Sequence, residues 1–334
     1  MWKIGNIKIR GHVVLAPMAG YTNLAYREFI KPFGVALTYT EMISDCGLVY
    51  HNQETYRYLT TSEQERPVGI QLFGGRTSTL VKAIEIIESM HLVYDLLDIN
   101  LGCPMPKVTK TGAGSAWLKR PEELYETMKA VVAASSKPVT AKIRIGWDST
   151  SINVMEVIAA LEKAGVAMIA VHARTTKQIY SGKPNYELLR NLQDKMAVPL
   201  VISGDIFTLD DAINALQITK AQAVMVARGA LGNPRLVTQI DEYLKTGIRL
   251  PDATLTEQIG YIKSLAVKLV ALKGENLAIR ELKGIATHFL VGYPGMKPVK
   301  VALTTKMVTL QDLYNILDEI PLTAFTTNNE ANTL

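Results

Sequence analysis

Short runs of β-branched and other apolar residues recur along the chain at near-regular intervals: HVVLAP (12–17), VALTYTEM (35–42), PVGIQLF (67–73), LLDINLG (96–102), PVTAKIRIG (138–146), MIAVHA (168–173), PLVISGD (199–205) and AVMVARG (223–229). Between them lie stretches with apolar residues at three- and four-residue spacing, among them LVKAIEIIESM, PEELYETMKAVVAA, INVMEVIAALEKAG and TLDDAINALQ. Several of these open on Pro, Ser or Thr and close on Gly, as helix caps require. Runs that are apolar at consecutive positions predict strands buried on both faces, the kind found in parallel sheets covered by helices. Strand–helix units of about thirty residues, repeated eight times, match a (β/α)8 TIM barrel, while a doubly wound open sheet has the same local pattern.

After Gly232 the strand pattern stops. Ile262, Leu265, Ala266, Leu269 and Leu272 form one helical stripe, and Ile279, Leu282, Ile285, Ala286 and Phe289 another. The expected organisation is an α/β barrel domain over 1–242, a small C-terminal helical-bundle domain over 243–325 and a polar, flexible tail over 326–334.

Composition narrows the setting. At 334 residues and 48% apolar, the chain can bury a core of barrel size. No uncharged apolar stretch reaches the ~18 residues of a membrane span, and the start lacks a basic-then-apolar leader. We therefore expect a cytoplasmic protein with no membrane contact and no obligate protein partner. Two cysteines cannot build a disulfide framework, and none of the five histidines stands at metal-ligand spacing from either, so no metal is expected. The net charge of +5 is uneven: residues 260–306 hold eight Lys or Arg against two Glu. Such a surplus suits a polyanionic partner, although charge alone fits a solvated helix surface equally well.

In α/β barrels chemistry gathers at the C-terminal strand ends, often with a phosphate site in the last two loops. The seventh run ends in Ser203-Gly204-Asp205 and the eighth in Ala227-Arg228. Small residues there let backbone N–H groups approach a phosphate, and Arg228 adds a charge-assisted contact. Lys142 and Arg144 share one face of the fifth strand by alternation, as do His172 and Arg174 near the end of the sixth. Two cations on one side of a buried strand are costly without an anion. With Gln71 at the end of the third run, these groups suit a long cofactor with a phosphate at one end and a ring able to carry negative charge at the other, the shape of flavin mononucleotide (FMN).

Cys103 follows the fourth run on a loop punctuated by Gly, Pro and Lys. Pro104 and Pro106 stiffen its start, Gly112 and Gly114 read as hinges, and Lys107 and Lys110 are placed to meet phosphates. Cys46 reads as a small buried residue at a strand end.

The segments Leu15-Ala16-Pro17-Met18-Ala19-Gly20, Gln71-Leu72-Phe73-Gly74, Asp98-Ile99-Asn100-Leu101-Gly102-Cys103-Pro104, Lys142-Ile143-Arg144, His172-Ala173-Arg174, Ser203-Gly204-Asp205-Ile206 and Arg228-Gly229-Ala230-Leu231-Gly232-Asn233-Pro234, in this order, resemble those of the tRNA-dihydrouridine synthases, in particular the bacterial B type. The likeness covers residues 12–235 and continues more weakly into Arg280–Lys283 and His288. It implies an FMN-dependent oxidoreductase that uses NADPH to reduce the C5–C6 double bond of selected uridines in tRNA. Hydride would pass from reduced flavin to C6, and Cys103 would give a proton to C5. By the same resemblance Pro17, Met18 and Ala19 lie against the flavin and Gln71 hydrogen-bonds its ring. Lys142 faces the ring edge that becomes anionic, and His172, Ser203, Gly204, Asp205, Ala227 and Arg228 bind the ribityl chain and phosphate. Asn100, with Arg144, Arg174, Lys107 and Lys110, would hold the substrate, and Arg280 and Lys283 would grip tRNA phosphates. Two positions depart from the pattern: Ala227 stands where Gly is usual, and Arg235 where an aromatic is. A barrel flavoenzyme acting on a free dihydroorotate- or enone-type molecule would carry similar flavin residues but has no need of a basic helical domain.

Overall fold

Each of the apolar runs forms a parallel strand in the computed structural model, which describes residues 1–321; the tail expected at 326–334 lies outside the described residues. The strands are β1 (Val13–Leu15), β2 (Thr38–Tyr39), β3 (Val68–Phe73), β4 (Leu96–Leu101), β5 (Val139–Arg144), β6 (Met168–His172), β7 (Leu200–Ser203) and β8 (Ala223–Val226). They are ordered β1-β8-β7-β6-β5-β4-β3-β2. The ring closes where the Leu15 N–H donates to the Leu37 carbonyl at 3.0 Å and the Ala36 N–H to the Val13 carbonyl at 2.8 Å. Closure decides for the barrel over the open sheet. Every residue of β4 is buried, as continuous apolar runs demand when one side faces the lumen and the other a helix layer.

Helices α1 (Leu24–Ile30), α2 (Thr77–Ser89), α3 (Pro121–Ala134), α4 (Val154–Lys163) and α5 (Leu209–Thr219) alternate with the strands. Pro121 opens α3, where its missing N–H costs nothing, and Thr208 with Asp211 forms a capping box on α5. The β6–β7 connection makes only 3-10 turns, Glu187–Leu189 and Leu192–Lys195. An antiparallel hairpin, Trp2–Ile4 with Ile7–Ile9, closes the N-terminal end of the lumen. Its Trp2, Ile4 and Ile9 pack with Val14, Leu96, Met168, Val201 and Ala223.

By its internal contacts the chain forms two units, Met1–Arg228 and the residues from Gly229 on. The second unit contains α6 (Arg235–Thr246), α7 (Leu255–Lys273), α8 (Glu275–Ile285), α9 (Lys297–Thr305) and α10 (Leu310–Asp318). Ile262, Leu265, Ala266 and Leu269 are fully buried, as are the α8 stripe and Phe289. Leu272, expected in the first stripe, is exposed one residue before the end of α7. Gly232 has φ +81°, and a Cβ on it would lie 2.4 Å from the His288 backbone, so this glycine serves a close approach of two chain segments. Arg235, in place of an aromatic, donates to the Pro251 carbonyl at 3.2 Å. Among the described residues no helix is long and apolar enough to cross a membrane.

Candidate active site

Strand register sets the polar side chains in tiers. Gln71 pairs with Asp98 and Asp98 with Thr140; one tier further along, Asn100 pairs with Lys142; then Arg144 pairs with His172 and His172 with Ser203. Leu96, Asp98 and Asn100 alternate onto one face of β4. The lumen therefore changes from apolar beside the hairpin to polar at the C-terminal strand ends. Pro17, Met18 and Ala19 follow β1, and Ala227 and Arg228 follow β8 at the same end. Ala227 packs on the lumen cluster.

Cys103 is held by its backbone on both sides. Its N–H donates to Asn100 Oδ1 at 2.8 Å, and its carbonyl accepts from the Ser115 N–H at 3.1 Å and Ser115 Oγ at 2.9 Å. Gly114, at φ +59°, passes so close that a Cβ would sit 2.7 Å from the Cys103 carbonyl oxygen. The fully buried Trp117 ties the segment to the Gly74 carbonyl at 2.8 Å. Of the two glycines read as hinges, Gly114 is thus required by close packing on Cys103, while Gly112, at φ +82°, lies beside Arg120 and Gly75. Pro106–Thr109 forms a single helical turn, with Lys107 and Lys110 exposed on it and just after it. Burial pushes the Cys103 thiol up from its ordinary value, against the Met105 N–H and the charges of Arg144, Lys142 and Lys107. The thiol is protonated at neutral pH. Cys46, expected to be buried, is exposed: the turn of helix Asp45–Val49, capped by Ser44, buries Asp45 and Leu48 and leaves Cys46 outward.

Positive charge gathers at the strand ends. Among the described residues the half-buried Lys142 ammonium has no hydrogen-bond or ion-pair partner. Burial first, and Arg144 second, bring it down to about 8, while Asp98 and Cys103 work in the opposite direction. Burial also holds the His172 imidazole well below its ordinary value, with Lys142, Arg144, Arg174 and Arg228 acting the same way, so His172 is neutral. Arg144 donates to the carbonyls of Gly102 (2.9 Å), Thr175 (2.7 Å) and Ile179 (2.9 Å), joining the Cys103 loop to the β6 loop. Arg174 pairs with both oxygens of Asp205 and holds the Ser181 and Gly182 carbonyls. Asp205, with its carboxyl kept low chiefly by the Arg174 hydrogen bond, also meets Arg228 at 3.0 Å. Gly204, at φ +132°, has no room for a Cβ beside Pro184 and His172.

The structure thus brings Gln71, Asn100, Cys103, Lys142, Arg144, His172, Arg174, Ser203, Gly204, Asp205 and Arg228 to one end of the barrel. Arg280 and Lys283 belong to the second unit, on α8, where Arg280 is exposed and Lys283 half-buried. Sequence reasoning assigned no role to Asp98, which accepts from Gln71 Nε2 at 2.6 Å and Thr140 Oγ1 at 2.5 Å. Its one signal was a carboxylate in the middle of an apolar strand. It also missed Tyr180 and Phe207, two exposed rings whose centroids lie 4.7 and 5.5 Å from the Arg228 guanidinium.

A closed barrel with a fixed thiol, a neutral imidazole and unpaired positive charge at its strand ends is the frame of a barrel enzyme. A family model described as "Dihydrouridine synthase" matches residues 14–322. A probable tRNA-dihydrouridine synthase from Rickettsia bellii (strain RML369-C) is 33% identical over 280 residues, 84% of this chain and 85% of that one. The tRNA-dihydrouridine synthase B of Pseudomonas aeruginosa is 31% identical over 295 residues, 88% of each chain. The chain belongs to the dihydrouridine synthase family of oxidoreductases. Among solved structures it is similar in fold to histamine dehydrogenase from Rhizobium sp. 4-9 (TM-score 0.53, 13% identity, 80% of this chain and 50% of that one). It is similar also to a 2-naphthoyl-CoA reductase (TM-score 0.56, 11% identity, 72% and 51%). It spans about half the length of those two enzymes.

Proposed function

We propose that this protein binds FMN at the C-terminal strand ends and, with NADPH as electron source, reduces the C5–C6 double bond of particular uridines in tRNA. The observation that carries the reading is the charge imbalance there: Lys142 has no anionic partner among the described residues, while Asp205 alone is shared by Arg174 and Arg228. Such a donor set suits a ligand bearing a phosphate and an electron-rich ring edge.

In this reading Ser203, Gly204, Asp205, Ala227 and Arg228 cradle the phosphate and ribityl chain with His172. Pro17, Met18 and Ala19 support the ring plane, Gln71 meets its polar edge, and Lys142 faces its electron-rich edge. Bound there, FMN would supply the two electrons of the reduction. Asn100 and Cys103 stand where the base would enter. A thiol that burial keeps protonated has a proton to give to the basic carbon C5, and the clamps on both sides of Cys103 restrict where that proton can go. Arg144 and Arg174, whose N–H groups are used on loop carbonyls, shape the substrate opening, and Lys107 and Lys110 meet its phosphates. Arg280 and Lys283 bind tRNA phosphates, and the reacting base must leave its stack to be reached.

Replacement Cys103→Ala tests this reading. The purified variant should keep flavin absorbance and NADPH oxidation, while dihydrouridine in tRNA, measured by nucleoside mass spectrometry, falls to background. Undiminished dihydrouridine would remove Cys103 from the chemistry, and a wild-type protein that fails to retain FMN would remove the cofactor assignment.

A further inference from the structure

Beneath the mouth of the barrel the buried polar groups of β3, β4 and β5 form one directed chain of hydrogen bonds. Thr140 Oγ1 and Gln71 Nε2 donate to the two oxygens of Asp98. Asn100 Nδ2 donates to Gln71 Oε1 at 2.9 Å, and the peptide N–H groups of Gly102 and Cys103 donate to Asn100 Oδ1 at 3.2 and 2.8 Å. The sense of this chain is forced from both ends. An ionised carboxylate only accepts, and a peptide N–H only donates. Gln71 must therefore turn its NH2 down to Asp98 and its oxygen up to Asn100, and Asn100 must turn its oxygen to the backbone of Cys103. Flipping either amide sets donor against donor or acceptor against acceptor.

Asp98 is 2% exposed and Gln71 fully buried, and among the described residues the carboxylate makes no salt bridge. Burial pushes the Asp98 carboxyl up to about 6, with the Thr140 and Gln71 hydrogen bonds and Lys142 opposing it. A buried carboxylate without an ion-pair partner among the described residues, two positions along β4 from the core residue Leu96, costs stability that an apolar side chain would not. The fold itself gives no reason for it.

We infer that Asp98 is a positioning residue for the reaction: through Gln71 and Asn100 its carboxylate fixes where the backbone of Cys103, and with it the thiol, stands at the barrel mouth. The inference rests on the role proposed for Cys103. Removing the carboxylate frees Gln71 Nε2, the amides lose their enforced sense, and Asn100 no longer grips the peptide N–H of Cys103 in one orientation. Asn at position 98 can still turn its oxygen to Gln71 and its NH2 to the Thr140 hydroxyl, so it preserves the chain without the charge.

The test compares Asp98→Ala and Asp98→Asn, both in a Cys46→Ser background so that Cys103 is the one thiol left. Two readouts are taken on FMN-loaded protein: steady-state formation of dihydrouridine on tRNA, and the rate of Cys103 alkylation by iodoacetamide in the absence of tRNA. Asp98→Ala should lower kcat by about tenfold or more with KM for tRNA little changed, since a small misplacement of a reacting group is enough. It should also change the alkylation rate several-fold. Asp98→Asn should return both to near the parent. If Asp98→Ala lowers only the melting temperature and leaves kcat and alkylation alone, or if Asp98→Asn is no better than Asp98→Ala, the inference fails. Because alkylation reports the thiol's surroundings whatever the thiol does in turnover, a changed alkylation rate with unchanged kcat would overturn the role of Cys103 in catalysis and, with it, the role of Asp98 in the reaction, while an unchanged rate counts against Asp98 alone.

Discussion

Lys142 shows how a single residue can be unfavourable for the fold and useful for the site. Its ammonium is half-buried without an anionic partner among the described residues, and burial with Arg144 brings it down to about 8. The native state therefore releases this proton near pH 8, while the unfolded chain holds it until about 10.5. Between those values the unfolded state binds more protons, so this group's contribution makes stability rise with pH. The replacement Lys142→Met should accordingly stabilise the flavin-free protein at pH 7 by roughly 2 kcal/mol, and the gain should shrink as the pH is raised from 8 towards 10. Urea denaturation at several pH values measures this. A Lys142→Met protein less stable than wild type at pH 7 would mean that the ammonium is satisfied in solution. The same substitution should cost dihydrouridine formation, which separates the stability of the site from its use.

At the scale of elements, the segment after β4 behaves as a clamp. Gly114 lies against the Cys103 carbonyl, and Ser115 caps that carbonyl twice. Replacement Gly114→Ala adds a Cβ at φ +59° where only 2.7 Å is free. The left-handed backbone alone costs about 1–2 kcal/mol, a drop of roughly 3–6 °C in melting temperature. The displacement of Cys103 should cost more than tenfold, roughly, in product formation, read from the same tRNA assay with flavin absorbance as the control for folding. Here the limits of sequence reading also become visible. The barrel strands were legible because a strand buried on both faces is apolar at consecutive positions, as β8, AVMV, is. Gly114 was legible as a glycine but not as a packing glycine, since the atom that excludes a Cβ belongs to Cys103, eleven residues before it. Asp98 could be noticed as a charge among LLDINL, yet its partners Gln71 and Thr140 lie 27 and 42 residues away, joined only by strand register. Cys46 was misjudged because a helix too short for a periodicity signal decides which way it faces.

For the whole molecule the question is where the charge resides. The stretch 260–306 carries a surplus of six positive charges out of a net +5, leaving the rest near neutral. Some of its lysines are already engaged, among them Lys263 with Asp318 at 2.5 Å and Lys273 with Glu281 at 2.6 Å. Arg280 is exposed on α8, and with Lys283 it lies off the face formed by Ile279, Leu282 and Ile285, which is buried. A solvated helix face and an RNA grip differ in one measurable respect, because only the grip releases counterions. If about six phosphates are neutralised, raising the salt about fourfold should weaken tRNA binding by roughly two to three orders of magnitude. The double replacement Arg280→Glu, Lys283→Glu should weaken binding at low salt and flatten that slope by about two counterions, with flavin content and NADPH oxidation unchanged. Filter binding across a salt series reads both. A slope near zero in the wild type, or one that the double variant leaves intact, would reduce the basic helices to a solvated surface and move recognition of tRNA to the barrel unit.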